Sequence, residues 1–147
     1  ESKGQTKTIR QHAPCREGFN RIGSKCYKMY TDTGRSWDNA KSWCEAEGLV
    51  MAGKPDDAIT FRAALIEIYG NGRVWLDARG DNTQFRWERN NEAISNTDAL
   101  WFPRMTGSKV TTSHCLGLLA HNYFSNVYPT QPFYPGSCSW RWSTICE

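Results

Sequence analysis

Residues 36–49 read Ser36-Trp37-Asp38-Asn39-Ala40-Lys41-Ser42-Trp43-Cys44-Glu45-Ala46-Glu47-Gly48-Leu49. A serine stands first, where its hydroxyl can accept from the free N–H groups of an opening helical turn. Trp37, Ala40, Trp43 and Cys44 follow at helical spacing, and Gly48 offers the left-handed conformation at which helices stop. The stretch predicts a helix with both tryptophans in the core.

Toward the C-terminus, Pro55-Asp56-Asp57 opens a second helix with acids at its positive end. Ala58, Phe61, Leu65, Ile68 and Tyr69 fall on one face of it, and Gly70 stops it. Toward the N-terminus, Gly18, Phe19 and Ile22 precede a Gly23-Ser24 turn and the run Cys26 to Tyr30. That pattern predicts a small hairpin, with Cys15 and Cys26 well placed to staple it. The second half is loop-rich and strand-like. Val74 to Ala78 is a short apolar run, Phe85 and Trp87 alternate with Gln84 and Arg86, and Cys115 to Leu119 reads as a buried strand. Residues 90–113 have turn chemistry and little periodicity. Strict alternation from Cys138 to Cys146 puts Cys138, Trp140, Trp142, Thr144 and Cys146 on one face. Helices early and short strands late define an α+β class, with its elements segregated rather than alternating.

The chain's 147 residues, 39% hydrophobic and 22% charged, suit one domain with a sizeable core. Residues 1–14 lack periodicity and read as a flexible N-terminal tail, leaving 15–147 as the domain. The polar opening is what a mature secreted chain shows once its signal is removed. No apolar run reaches the length of a membrane span. The net charge of +3 is weak, and Lys3, Lys7 and Arg10 against Glu1 account for +2 of it, so no basic surface for nucleic acid is expected. Six cysteines are an even number, and none of their spacings suits a zinc ribbon or redox motif. They read as a disulfide framework, hence an extracellular or lumenal protein. Which cysteine joins which is left open by spacing alone.

An ordered set of short motifs carries a family resemblance. They are Cys15-x-x-Gly18-Phe19, Cys26-Tyr27, Ser36-Trp37-x-x-Ala40-x-x-x-Cys44, Gly48-Leu49, Val74-Trp75-Leu76 and Ile145-Cys146-Glu147. Together they resemble the C-type lectin-like domain, in its secreted, long-form, six-cysteine kind, over essentially all of 15–147. The C-terminal half is similar to lectin-like proteins of invertebrate, crustacean body fluid. The resemblance implies two helices with small antiparallel sheets, a long loop region and three disulfides, Cys15–Cys26, Cys44–Cys146 and Cys115–Cys138. Closing the long Cys44–Cys146 loop stabilises by roughly 4–5 kcal/mol in the chain-entropy account. Trp75 then belongs to the core motif normally written Trp-Ile-Gly, with Asp77 where the glycine usually stands.

Sugar-binding members hold calcium in the long loop with carboxylates and amides around a cis-proline, plus an Asn-Asp pair. Here the first stretch is Phe102-Pro103-Arg104-Met105-Thr106-Gly107, and the second, before Cys138, is Phe133-Tyr134-Pro135. Neither supplies carboxylates, so the usual calcium-dependent sugar site is expected to be absent. Gln131-Pro132-Phe133 resembles a galactose-type motif, but it lies on the wrong side of Cys115 and lacks the acid. Some members carry a separate structural calcium site, for which Asp56, Asp57 and Glu147 are the candidates; helix capping is the simpler role for the two aspartates.

Residues between Leu119 and Cys138 are rich in rings and amides. Asn122, Tyr123, Asn126, Tyr128, Gln131 and Tyr134 are the candidates for a calcium-free glycan surface, and the same composition suits a protein contact. Arg79-Gly80-Asp81 spells an integrin-recognition tripeptide after a strand, although Gly-Asp-Asn is also ordinary turn chemistry. No nucleophile elbow, spare cysteine or zinc-protease helix motif is present, so no enzyme is expected. The expectation is a secreted recognition module of innate-immune type that binds glycans or microbial surfaces and requires no cofactor. The alternative is a lectin-like domain that binds a receptor, integrin or other extracellular protein. Oligomers of a chain with all cysteines paired internally would be non-covalent.

Overall fold

The computed structural model of the chain describes residues 14–103 and 110–147. The tail expected over 1–14 lies outside the described residues apart from Pro14. Strands β1 (Asn20–Ile22) and β2 (Lys25–Arg35) form the expected hairpin, with Gly23 in the left-handed region at φ +65°. The turn is pinned from outside, since Ser24 donates to Asp56 Oδ2 through both its backbone N–H (2.9 Å) and its hydroxyl (2.6 Å).

Helix α1 (Trp37–Ala46) is capped by Ser36, whose Oγ accepts from the Asn39 N–H, and Gly48 follows it at φ +76°. Its buried residues are Trp37, Ala40 and Cys44. Trp43 is not among them and is 36% exposed. It lies about 120° around the helix from the Trp37–Cys44 seam. The Arg35 guanidinium covers its ring at 3.9 Å instead. Helix α2 (Ala58–Tyr69) starts at Asp57, whose Oδ1 accepts from the N–H groups of Ile59 and Thr60, and it ends at Gly70. Ala58, Phe61, Arg62 and Leu65 are buried, whereas Ile68, expected on the core face, is 41% exposed in the last turn.

Strand β3 (Gly72–Gly80) is the centre of the sheet. It runs antiparallel to β4 (Phe85–Trp87) and β6 (His114–Ala120) and touches β8 (Trp142–Cys146) in parallel at Val74–Ser143. Strand β5 (Ala93–Ile94) extends β4, β7 (Phe133–Ser137) extends β6, and β2 flanks β8. The alternation read over 138–146 holds only from Trp142 onward. Trp140 sits in the preceding turn and is 49% exposed. A third helix, α3 (Asn122–Val127), was not foreseen, because none of its residues is buried and no apolar stripe marks it.

Disulfides join Cys15 to Cys26, Cys44 to Cys146 and Cys115 to Cys138, the pairs that the resemblance implies. The last two lie in one buried cluster with Trp37, Met51, Trp75 and Trp142. A larger cluster gathers Phe61, Leu65, Val74, Leu76, Phe85, Leu116, Leu118 and Ile145 around the sheet. Each such side chain stabilises by roughly 1.5–3 kcal/mol relative to exposure. Asp77 is buried and is neutralised by Lys41 at 2.9 Å.

Candidate functional site

The two stretches compared with the calcium motifs, from Phe102 and at 133–135, meet in space. Trp101 bridges to Phe133, the Phe102 N–H donates to the Phe133 carbonyl at 2.7 Å, and the Phe133 N–H donates to the Leu100 carbonyl at 3.0 Å. What they bring together is rings. Phe102 presents its ring at 5.4 Å to Tyr134, at 4.9 Å to Tyr128 and at 5.6 Å to Phe124, all edge-to-face. Positions 104–107 of the first stretch lie outside the described residues. Among the described residues, no group of three or more His, Cys, Asp and Glu could hold a metal ion.

A groove opens beside this ring cluster. One part, of about 500 Å³, lies between Gly34, Asn71, Arg73, His121, Arg141 and Trp142. A second, of about 300 Å³, lies between Phe102, Tyr134 and Trp140 and shares Arg73, Leu119, Phe124 and Trp142 with the first. The Trp142 ring is the common floor. It stacks on Trp75 with centroids 4.2 Å apart, and the glycines at 117 and 136 leave it room. Gly117 stands opposite Trp75 in the β3–β6 ladder, so the space its missing side chain leaves is filled by Trp142. Trp140 stands exposed above the floor, 6.0 Å from it. Arg73 and Arg141 are both exposed, and none of the described residues lining either part is acidic.

Of the candidates read from sequence, Tyr134 alone lines the groove. Asn122, Tyr123 and Asn126 lie exposed on α3, with Tyr123 edge-on to Phe124 at 5.2 Å. The Asn122 N–H donates to Asn71 Oδ1 at 2.9 Å, which ties α3 to the start of β3. Tyr128 leans on Phe102, and half-buried Gln131 follows it. Arg62 holds this segment from beneath, donating to the carbonyls of Tyr128 (3.1 Å) and Pro129 (2.6 Å). Burial lowers the pKa of that guanidinium from its ordinary value. Sequence reading missed Arg73, Trp140, Arg141 and Trp142 as site residues. The available signal was the pair of glycines inside strands β6 and β7, which marks the close approach of something bulky.

The candidates for structural calcium have separate occupations. Asp57 caps α2 and Asp56 holds the Ser24 turn. Glu147, its side chain 8% exposed, accepts from the Gly53 N–H at 2.9 Å and pairs with Arg89 at 2.7 Å and Lys25 at 3.5 Å. The three carboxylates do not converge on one point, and the Glu147 oxygens already face two cations, so they do not fit a calcium cage. Burial, then the Glu147 and Asp56 carboxylates, pushes the Tyr27 phenol up, keeping it neutral.

The 79–81 tripeptide is also engaged internally. Arg79 donates to the Thr112 carbonyl at 2.8 Å, pairs with Asp38 at 3.6 Å and lies over Trp37. Gly80 packs against the carbonyls of Val110 and Thr111. Asp81 accepts from the Gln84 and Thr83 N–H groups and from Arg86 Nε at 2.7 Å. The Gln84 amide, the Arg86 side chain and the Thr83 amide hold its carboxyl down at about 2.

An N-terminal hairpin closed by Cys15–Cys26, two early helices, and a looped second half closed by Cys115–Cys138 under a helix-to-last-strand disulfide together define the C-type lectin-like fold. Solved structures share it. SPL-1, determined as a complex with GlcNAc, matches with a TM-score of 0.65 at 17% identity, over 92% of this chain and 96% of that one. A calcium-independent type II antifreeze protein gives 0.66 at 18% identity, over 93% and 96%. The Ca²⁺-independent C-type lectin SPL-2 from Saxidomus purpuratus gives 0.63 at 20% identity, over 90% and 91%. No protein-family model matches the sequence, and no curated protein does. At these identities the likeness establishes the fold.

Proposed function

We propose that this chain is an extracellular lectin-like recognition module that binds glycans, free or on microbial surfaces, without calcium, in the groove above Trp142. The observation that carries this reading is the aromatic lining of the groove. Exposed Trp140 and half-buried Phe124 and Tyr134 stand around a tryptophan floor, where the two motif stretches meet. Pyranose rings present apolar C–H faces that stack on such rings, and their hydroxyls take hydrogen bonds from polar groups at the rim. The larger part of the groove, about 500 Å³, falls within the roughly 300–1,000 Å³ usual for small-ligand sites.

Three observations support the surrounding terms. The Phe102 and Tyr134 rings meet at 5.4 Å in the two stretches read in place of the calcium motifs, and Arg89 and Lys25 already neutralise Glu147. All six cysteines are paired, which favours an oxidising compartment and leaves no thiol nucleophile. No helix among the described residues is long and apolar enough to cross a membrane. SPL-1 with GlcNAc and the Ca²⁺-independent SPL-2 are precedents on this fold for sugar binding and for calcium independence. A role in innate immunity would follow from microbial glycans as targets. The internal engagement of Arg79, Gly80 and Asp81 favours the groove over integrin recognition. The test is a glycan array with the purified chain, run in calcium and in EDTA. Binding that survives EDTA supports the reading, calcium-dependent binding refutes its calcium-free part, and silence in both moves the function to a protein partner.

A further inference from the structure

The groove is lopsided in charge. Arg73 projects from the start of β3 with no hydrogen-bond or ion-pair partner among the described residues. Arg141 projects from the turn before β8, donates to the Gly34 carbonyl at 3.4 Å, and meets no acid among the described residues. The other arginines of the sheet region behave differently. Arg35 pairs with Asp32, Arg79 with Asp38, Arg86 with Asp81 and Arg89 with Glu147. Two guanidiniums therefore line one groove with their ion-pairing capacity unused, beside the rings of Phe124 and Trp142.

Resting on the glycan reading above, we infer that the groove selects anionic glycans, sugars bearing a carboxylate or a sulfate on the ring. The sugar face packs on Trp142 and Trp140, and its anionic substituent takes charge-assisted, fork-shaped hydrogen bonds from Arg73 and Arg141. Guanidinium suits this task, because its planar donors match the paired oxygens of carboxylate and sulfate. With no acid among the described lining residues, an anion entering the groove meets no carboxylate repulsion from them. A neutral sugar offers the two guanidiniums hydroxyl acceptors but no counter-charge.

Calorimetric titration of the intact, disulfide-bonded chain in EDTA tests this with two matched pairs of ligands. Oligogalacturonate against its methyl ester isolates the carboxylate, and dextran sulfate oligomers against dextran isolate the sulfate. The expected result is that at least one charged form binds about tenfold more tightly than its uncharged partner, the preference weakening as salt is raised. Arg73→Gln and Arg141→Gln should each remove most of the preference, with circular dichroism unchanged because both side chains are exposed. Arg16→Gln, the same charge lost at an exposed site that does not line the groove, should leave it intact. Equal binding of charged and uncharged partners overturns the inference, as does an equal loss in Arg16→Gln. EDTA-resistant binding of neutral glycans without preference would sink the inference and leave the glycan reading standing. No glycan binding of any kind on the array would sink both.

Discussion

Replacing Gly117 by alanine puts a methyl group into the volume that the Trp142 ring occupies. The ring has little room to retreat. It stacks on Trp75 at 4.2 Å, and a Cβ at Gly136 would lie only 2.8 Å from its Cη2. Trp142 and Trp75 also share their cluster with the Cys115–Cys138 and Cys44–Cys146 disulfides, which hold the surrounding backbone. Overpacking a site that can yield costs about 1 kcal/mol, and a hemmed site about 3 kcal/mol. Gly117→Ala should therefore destabilise by about 2–3 kcal/mol, or lower the melting temperature by about 4–12 °C for a chain of this size. Guanidinium chloride unfolding with disulfides intact, followed by tryptophan fluorescence, is the assay. Gly72→Ala is the control, since a Cβ there meets nothing within 4 Å and the residue has no positive φ. It should stay within about 0.5 kcal/mol of the parent or gain slightly from reduced unfolded-state entropy. A Gly117→Ala chain as stable as the Gly72→Ala control would refute the placement of Trp142, and with it the floor of the groove.

Three further outcomes follow from named contacts. Adding EDTA or calcium should leave the melting temperature unchanged, while Glu147→Gln should cost about 1–3 kcal/mol, because it strips a nearly buried carboxylate from Arg89 and Lys25. A rise in melting temperature with calcium would contradict that occupancy. The Asp81 carboxyl, followed by NMR, should titrate near 2 rather than at its ordinary 3.8. Being depressed, it adds stability that is complete above the ordinary value and lost as pH falls through about 2; titration near 4 would mean that the 81–86 turn is open. Arg62→Lys replaces a fork with a point donor and should cost about 1–2 kcal/mol. It should also speed amide exchange at Ser125 on α3 and at Tyr128, which caps it, and unchanged exchange would show that Arg62 does not hold that segment.

The parts of the fold legible in the sequence are those with local causes. Ser36, Gly48, Asp57 and Gly70 bound two helices by capping chemistry that acts within a few residues. The six cysteines carried the framework, but their pairing came through the resemblance, since spacing cannot choose among connectivities. Helix α3 was illegible because its residues bury nothing, and pattern reading detects burial. Trp43, read as core, lies on the outer side of α1, and Trp140, read as part of the alternating strand, sits in the turn before it. Bulk and alternation alone do not fix where a strand or a buried face begins. The want of carboxylates at Phe102 and at 133–135 was legible in the sequence. The groove was not, because Arg73, Phe102, Phe124 and Trp142 come from four separate parts of the chain and meet only in the folded sheet.

The most direct test of the central claim follows the backbone amide and indole N–H signals of the isotopically labelled chain by NMR, during titration in EDTA with the glycan that binds best on the array. Trp37 and Trp101 donate their indole N–H groups to the carbonyls of Leu76 and Ser95, so they serve as internal references. The expected result is a saturable shift of the Trp140 and Trp142 signals, with those two still. Shifts that spare Trp140 and Trp142 and fall on the 79–81 turn, or no shift at saturating glycan, would contradict a calcium-free sugar site above Trp142.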